Sequence, residues 1–502
     1  MTERIEHELQ RGALVNVLGT LGKMAGPSFL ILVTRLYGAD VFGVFITATS
    51  FIEMALAFLT AGFKDGALLS VARHADYEDE RDRLYQLLAN TLGWSLLFAA
   101  LLILLGFTAG PWVLPALYEE YGARLVSALQ VMVLALPVLA FDRIVIAATQ
   151  GLKIMKYDAI ANGGLRPLTL LGAAAAFWAW MPTTTGLALA YLTTQGLLGG
   201  LALWIYTREL AWRPLLDAVR DFELDREMLA FALPQNLNMT LERFLTNIDV
   251  IMLGMFGVSA ATTGFYGAGA RVVRELLNVK QVFSNAFVPH VVRLHRQERA
   301  SELSALFSKT SRWIATLAVP ALGAVALLRT DILRLISPKF AGMDAVFMLA
   351  LLPIPYLQCS VGLAGNIVVM TGHSQLNLLN SATTALANAL LNVWLIPVLG
   401  PLGAALASTA ATVLKTIMEL VEAWVVAQTR LLLRAVYRPH LAGALVGVGI
   451  GLALWTYPAL DASLLGRLAV LGGALLLYGG LLVALAGRLP RRPAALREAP
   501  GG

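Results

Sequence analysis

Long apolar stretches separated by short polar segments recur along the whole chain. Each is long enough to cross a ~30 Å hydrocarbon core as a helix of about 20 residues. This pattern predicts an all-α, polytopic membrane protein with fourteen transmembrane helices. The predicted spans cover residues 12–36, 41–68, 86–109, 124–149, 160–181, 186–207, 229–254, 264–290, 309–330, 344–370, 375–396, 403–428, 440–458 and 465–487.

The composition supports this interpretation. Apolar residues make up 58% of the chain and charged residues 14%, whereas soluble domains average roughly 45–50% and about 25%. These values exclude an ordinary soluble enzyme, a disordered chain and a disulfide scaffold. The single cysteine, Cys359, excludes an intrachain disulfide and a multi-cysteine metal site. The start of the chain has no signal-peptide cleavage pattern, so we expect the first span to remain in the protein.

The distribution of Lys and Arg predicts the orientation in the membrane. With the N-terminus inside, cytoplasmic segments hold about 23 of the 38 basic residues and the opposite loops about six. Cytoplasmic loops are enriched in Lys and Arg, so both termini are expected in the cytoplasm. The same rule accounts for the net charge of +6 without a nucleic-acid partner.

A weak internal repeat predicts the domain organisation. The segments at 36–45 and 255–269, at 148–158 and 369–377, and at 181–190 and 396–407 share Gly, Pro and aromatic residues in the same order. We therefore expect an N-lobe (1–210), a C-lobe (211–430), and a terminal part with spans 13 and 14 (431–502). Two six-helix lobes of this kind are typical of alternating access to a site near the midplane.

Seventeen charged residues fall within the predicted spans. Such charges are costly in the bilayer and face a protein interior or a wet cavity, so the protein is expected to enclose a polar path. The basic ones are Lys23, Lys64, Arg143, Arg166, Arg243, Arg271, Arg274, Lys280 and Lys415; the acidic ones are Glu53, Asp65, Asp142, Glu242, Asp249, Glu275, Glu419 and Glu422.

Helical spacing places many polar residues on common sides of their spans. At about 100° per residue, Lys23 shares a side with other polar residues of span 1, and Glu53 and Lys64 do so in span 2. Arg271, Arg274, Glu275, Asn278 and Asn285 share a side of span 8, and Asn377, Asn380, Thr384, Asn388 and Asn392 form an amide ladder on span 11. Cations around one cavity favour an anionic ligand such as phosphate or pyrophosphate. The alternative is local pairing: Arg271 or Arg274 with Glu275, Lys415 with Glu419 or Glu422, and Asp142 with Arg143.

Span 7 carries candidates for a coupling-ion site. Asn238, Glu242 and Asp249 lie on one side of the helix, and Arg243 lies roughly opposite. A buried carboxylate with amide neighbours suits Na⁺ or H⁺, because hard cations prefer oxygen ligands and desolvation raises a carboxyl pKa. Asp249 is the first candidate and Glu242 the second. Helix capping or an ion pair with Arg243 is the structural alternative.

Catalytic signatures are absent from the sequence. It contains no GxxxxGK[ST] loop, no HExxH and no loop longer than roughly 25 residues. We therefore expect a secondary transporter with no cofactor beyond a coupling ion, and not an enzyme. A lipid-glycan ligase or polymerase is disfavoured because it needs a large external loop, whereas an uncoupled scaffold or scramblase stays open.

Three segments carry a family resemblance: TRLYGADVFGVF (34–45), TQGLKIMKYD (149–158) and FALPQNLNMTLERFLTNIDVIMLGMFG (231–257). Together they resemble the polysaccharide transporter branch of the MOP superfamily, which includes Wzx-type flippases. This branch is similar to the MurJ lipid II flippases and, more distantly, to MATE drug exporters.

The resemblance implies two lobes in a V shape and a MOP/MATE-like fold. It further implies an undecaprenyl-pyrophosphate-linked oligosaccharide that is flipped to the periplasmic leaflet for O-antigen, capsule or exopolysaccharide synthesis. The pyrophosphate would contact Lys23, Lys64, Arg271 and Arg274, and a sodium site would include Asp249 and Asn388. With the residues predicted from the polar stripes, the expected substrate-binding set is Lys23, Lys64, Arg271, Arg274, Arg243 and Asn278, and the coupling-ion candidates are Asp249, Glu242, Glu53 and Asn388.

Two alternatives within the superfamily stay open. A lipid II flippase is less favoured because span 1 carries Lys23 instead of Arg, and because spans 13 and 14 are nearly uncharged. A MATE-like exporter should have twelve spans and a cavity of acids and aromatics. The expected setting is the bacterial inner membrane, with a monomer in contact with membrane lipids and with polymerase and chain-length proteins of the same pathway.

Overall fold

The computed structural model describes residues 26–74, 81–221 and 224–487 of the chain, and these ranges are helical with no strand. The helices of the first part are α1 (Gly26–Leu36), α2 (Ala39–His74), α3 (Arg81–Thr108), α4 (Gly110–Leu117), α5 (Gly122–Val133), α6 (Leu136–Gly151), α7 (Lys156–Ile160), α8 (Arg166–Trp180), α9 (Thr184–Glu209) and α10 (Trp212–Arg220). A short π-helical segment, Ala161–Leu165, joins α7 to α8.

The remaining helices are α11 (Arg226–Met255), α12 (Ala260–Glu275), α13 (Leu277–Arg296), α14 (Ala300–Ile336), α15 (Val346–Leu351), α16 (Pro353–Val361), α17 (Leu363–Met370), α18 (Ser374–Leu399), α19 (Pro401–Ala427), α20 (Leu433–Thr456), α21 (Ala459–Ala462) and α22 (Leu464–Gly487).

The structure confirms an all-α, multi-pass membrane protein. Within the described residues, eight helices are individually long and apolar enough to cross a membrane, and two bent pairs raise the number to ten. The pairs are α5 with α6, bent by 43°, and α15–α16 with α17, bent by 52°. The exact number of fourteen stays a prediction. Four of the fourteen predicted spans are not among these ten. The first is described only from Gly26. The other three correspond to α7–α8, α11 and α12–α13, where polar residues or a helix break interrupt the apolar run.

Packing divides the chain into two compact units. Of the described residues, the first unit contains 26–74, 81–221, 224–271, 333–350 and 378–412, and the second contains 272–332, 351–377 and 413–487. Both are assembled from separate stretches of the chain. They therefore do not test the predicted lobe boundaries at residues 210 and 430, which stay predictions.

Close packing of α2 against α11 and α12 organises the first unit. A Cβ atom on Gly43 would collide with the carbonyl oxygen of Ala260, and one on Gly62 would collide with that of Ala232. The Gly62 N–H donates to Asn236 Oδ1 at 2.5 Å, so a buried side chain completes the second contact. Only glycine allows backbones to approach this closely without a steric clash.

The second unit has its own apolar core and a pair of packed terminal helices. Phe287, Phe307 and Ile367 belong to the core. In the terminal pair, α20 packs against α22, and Tyr478 of α22 donates to the Thr316 carbonyl of α14 at 3.2 Å. Arg467 of α22 also contacts α14, through a bidentate contact with Asp331 at 2.7 and 2.8 Å.

Candidate functional site

A polar cavity of about 400 Å³ opens inside the first unit. Side chains from α1, α2, α6, α8 and α9 line it, together with the π-helical segment and one residue of α12. The lining residues are Gly26, Phe29, Phe45, Thr49, Glu53, Leu56, Leu139, Arg143, Asn162, Arg166, Pro167, Leu170, Tyr191, Gln195 and Arg271. The mixture of guanidinium, amide, hydroxyl and aromatic groups is typical of a site for a polar ligand.

Arg166 is the most extensively hydrogen-bonded of the cavity's cations. Its Nη1 donates to Gln195 Oε1 at 2.7 Å and its Nε donates to Asn162 Oδ1 at 3.1 Å. Its Nη2 donates to a carboxylate oxygen of Asp142, which is 2% exposed. Asn162 lies one helical turn before Arg166, on the π-helical segment, and this explains how it reaches the guanidinium. Asp142 therefore pairs with Arg166 of another helix, and not with its sequence neighbour Arg143.

Glu53 links the cavity to α11. Its Oε2 atom accepts a hydrogen bond from Asn247 Nδ2 at 3.3 Å and lies 4.0 Å from Arg243 Nη1. The structure thus brings together Arg243, which was predicted to bind the substrate, and Glu53, which was predicted as a coupling-ion candidate. Arg243 has this partner, whereas the sequence left open an ion pair with Asp249 or Glu242.

The other predicted substrate-binding residues lie in several places. Lys23 is outside the described residues. Arg271 lines the cavity, whereas the Lys64 ammonium lies 3.8 Å from the carboxylate of the adjacent Asp65. Arg274 and Asn278 belong to the second unit, where Asn278 Nδ2 donates to Glu275 Oε2 at 2.7 Å.

The sequence did not single out Arg143, Arg166, Tyr191 or Gln195 as site residues. Their charge within predicted spans was the feature of the sequence that could have indicated Arg143 and Arg166 as cavity residues. They come from different helices, so no stripe on one helix connects them. The cavity therefore depends on tertiary packing that helical spacing does not show.

A second polar constellation in the first unit surrounds Asp249, which is fully buried. Its Oδ2 atom accepts hydrogen bonds from the Tyr266 and Ser408 hydroxyls, each at 2.6 Å. Its Oδ1 atom accepts one from Asn392 Nδ2 at 3.1 Å. Residues from α11, α12, α18 and α19 therefore converge on one carboxylate.

Asn388 belongs to the same constellation. Its Nδ2 donates to the Ser408 hydroxyl at 3.1 Å, and its Oδ1 accepts from Asn392 Nδ2 at 2.6 Å. Asn392 Oδ1 is buried and has no hydrogen-bond partner among the described residues. Carboxylate, amide and hydroxyl oxygens are the ligands that hard cations prefer. The donor set, with one buried amide oxygen still unsatisfied, therefore fits a small cation.

The other acid proposed on span 7 is less enclosed. Glu242 is only partly buried, and its backbone carbonyl accepts a hydrogen bond from the Thr246 hydroxyl. The hydrogen bonds that Asp249 accepts come from Tyr266, Asn392 and Ser408, and Glu242 takes no part in them. Its coupling role stays a prediction.

Long apolar helices with a polar cavity among them form a fold that is also found in solved structures of transporters. A structure described as the lipid II flippase MurJ in an inward closed conformation matches with a TM-score of 0.72 and 14% identity, covering 95% of this chain and 100% of that one. An inward-facing multidrug resistance MATE family transporter of the MOP superfamily matches with a TM-score of 0.63 and 14% identity, covering 83% and 99%. A MOP superfamily transporter from Pyrococcus furiosus matches with a TM-score of 0.53 and 15% identity, covering 84% and 93%.

The sequence model of a family described as "Polysaccharide biosynthesis protein" matches residues 9–295, more than half of the chain. The chain therefore belongs to this polysaccharide biosynthesis protein family. No curated protein sequence matches it. Together, the family and the structural neighbours support a MOP-type flippase, and these neighbours are transporters and flippases instead of enzymes.

Proposed function

We propose that the protein flips a polyprenyl-pyrophosphate-linked oligosaccharide, with undecaprenyl as the expected lipid, from the cytoplasmic to the periplasmic leaflet of the bacterial inner membrane. The observation that carries this proposal is the polar cavity of the first unit, which three guanidinium groups and one carboxylate line. The family supports a role in polysaccharide synthesis. The products would be O-antigen, capsule or exopolysaccharide, made with a polymerase and chain-length proteins as partners.

The proposed mechanism keeps the polyprenyl tail in lipid while the pyrophosphate and glycan cross through the protein. An unpaired charge in a medium of low dielectric constant costs tens of kcal/mol by Born estimates. Fixed cations reduce this cost. Arg271 supplies one at the cavity, and Lys23, Lys64 and Arg274 are proposed to supply others. A single chain provides the alternating-access path, so we propose a monomer with both termini in the cytoplasm.

Asp249 and its neighbours are proposed to bind the coupling ion, Na⁺ or H⁺. Asn388, Asn392 and Ser408 would contribute oxygen ligands beside the carboxylate, and the unsatisfied Asn392 Oδ1 supports a cation in preference to a purely structural cluster. Binding there would change the contacts between four helices. A gradient of the ion would thereby bias the two orientations of the transporter.

Replacing Arg271 with glutamine is expected to slow flipping of the lipid-linked oligosaccharide by about ten- to a hundredfold. This factor corresponds to the ~1.5–3 kcal/mol of a hydrogen bond to a charged group. The measurement is protection of a fluorescent lipid-linked oligosaccharide from an external quencher in proteoliposomes. Arg213→Gln, which changes an exposed arginine of α10 outside the cavity, is the matched control. Equal flipping by both variants would contradict the cavity assignment.

Replacing Asp249 with asparagine is expected to reduce the stimulation of flipping by an ion gradient at least about tenfold, the usual scale for disturbing a metal site. Asparagine keeps the shape of the side chain and removes its charge. Sodium and proton gradients are applied separately, so the experiment also identifies the ion. Asp344→Asn, at an exposed position, should retain full stimulation. Normal stimulation in Asp249→Asn would exclude this site as the origin of coupling.

Lipid II is the second candidate substrate, because the structure with a TM-score of 0.72 is described as a lipid II flippase. The same proteoliposome assay distinguishes the two substrates. Faster protection of lipid II than of a multi-sugar repeat unit would favour the peptidoglycan precursor.

A further inference from the structure

Of the arginines that line the cavity, Arg143 is the one with a buried nitrogen that lacks a hydrogen-bond partner among the described residues. This nitrogen is its Nε atom. A buried donor without a partner costs about 1–3 kcal/mol. The Nε edge of a guanidinium is also one of the forks that bind a carboxylate with two parallel hydrogen bonds.

The charges around Arg143 do not cancel. Arg143 is close enough to Arg166 and Arg243 for repulsion, and the Asp142 carboxylate attracts it. The carboxylate of Asp142 is already hydrogen-bonded to Arg166. Glu53 likewise lies 4.0 Å from Arg243. The three arginines and these two acids therefore carry a formal net charge of +1, and a ligand with one negative charge would neutralise it.

The neighbouring groups suit a sugar ring. Tyr191 lines the cavity together with Arg143 and packs edge-on against Phe45, with ring centroids 6.4 Å apart. Asn162, Gln195 and Thr49 add amide and hydroxyl groups to the same cavity. Aromatic faces beside planar hydrogen-bonding side chains complement the apolar face and the hydroxyl groups of a sugar.

We propose that Arg143 binds the carboxylate of an acidic sugar, so that the cavity selects lipid-linked glycans that contain a uronic acid. This inference rests on the proposed glycan-flippase function and adds the chemical class of the glycan. Arg271 then serves the pyrophosphate, which every lipid-linked glycan carries. Arg143 binds a carboxylate that only some glycans carry.

The test compares two polyprenyl-pyrophosphate glycans that differ at one position: a glucuronic acid or a glucose. Flipping of each is measured with the full chain in proteoliposomes, and binding of each is measured with the protein in detergent. The wild type should prefer the acidic glycan by about tenfold. Arg143→Gln should reduce this ratio to about one, and Arg143→Lys, which keeps the charge but loses the fork, should leave an intermediate ratio.

Because the readout is a ratio within each variant, a lower yield of folded protein does not mimic the effect. Arg271→Gln should weaken the binding and flipping of both glycans and keep the preference for the acidic one, since both carry the pyrophosphate. An equal preference in wild type and Arg143→Gln, or no preference in the wild type, would overturn the inference and leave the flippase function intact. If the wild type flips neither glycan, the flippase proposal fails, and the binding ratio still decides whether Arg143 recognises the carboxylate.

Discussion

Replacing Asp142 with asparagine is expected to destabilise the protein by roughly 3–5 kcal/mol, the usual cost of removing one partner of a buried ion pair. The carboxylate is 2% exposed and is bonded to Arg166. Its loss leaves Arg143 and Arg166 facing each other without an acid between them. The measurement is thermal unfolding of the purified protein in detergent, followed by fluorescence-detected size exclusion.

The matched control is the double variant Asp142→Asn with Arg166→Gln. Removing one negative and one positive charge leaves the net charge around Arg143 as it is in the wild type, and glutamine can still hydrogen-bond to Asn162 and Gln195. The double variant should therefore recover most of the lost stability. If Asp142→Asn alone unfolds at the wild-type temperature, the ion pair does not hold α6 to α8.

Replacing Gly43 with alanine adds only one methyl group, but it is expected to lower the free energy of unfolding by about 3 kcal/mol or more. A Cβ atom at this position would collide with the Ala260 carbonyl oxygen. Overpacking usually costs ~1–3 kcal/mol, and a collision with backbone is relieved less easily than one with a side chain. Thermal unfolding and flipping in proteoliposomes should both be impaired.

Gly172→Ala is the matched control for Gly43→Ala, because a Cβ atom on Gly172 of α8 meets nothing within 4 Å. The same substitution there should leave stability within about 0.5 kcal/mol of the wild type, as for other exposed sites. Equal stability of the two alanine variants would contradict the close approach of α2 and α12 at this position.

The long uniform helices could be predicted from the sequence because their apolar runs match the bilayer thickness. The helices α3, α9, α20 and α22 follow the spans expected for them. The bend between α5 and α6 falls beside Pro137, a proline inside the predicted fourth span, where proline is expected to kink a helix. Pro137 stands in the first turn of α6, where proline starts a helix but cannot donate a backbone hydrogen bond. Hydropathy averages over such a break and therefore does not show it.

The candidate sites were only partly predictable for a related reason. Asp249 and Asn388 were expected to share a site, and both contact Ser408 in the structure. The roles of Ser408 and Tyr266 were not expected, because a single hydroxyl among apolar residues gives no pattern in the sequence. Arg143 and Arg166 were noticed as charges, but their grouping depends on how α6, the π-helical segment, α8 and α9 pack around the cavity.

The central claim is that the protein transports a lipid-linked glycan, and depletion in the organism that makes it tests this most directly. After depletion, polyprenyl-linked lipids are extracted and identified by mass spectrometry. We expect a multi-sugar repeat unit on polyprenyl pyrophosphate to accumulate, and the proposed role of Arg143 adds that it should contain an acidic sugar. Accumulation of no polyprenyl-linked glycan, together with increased sensitivity to cationic drugs, would contradict the flippase function and favour a drug exporter.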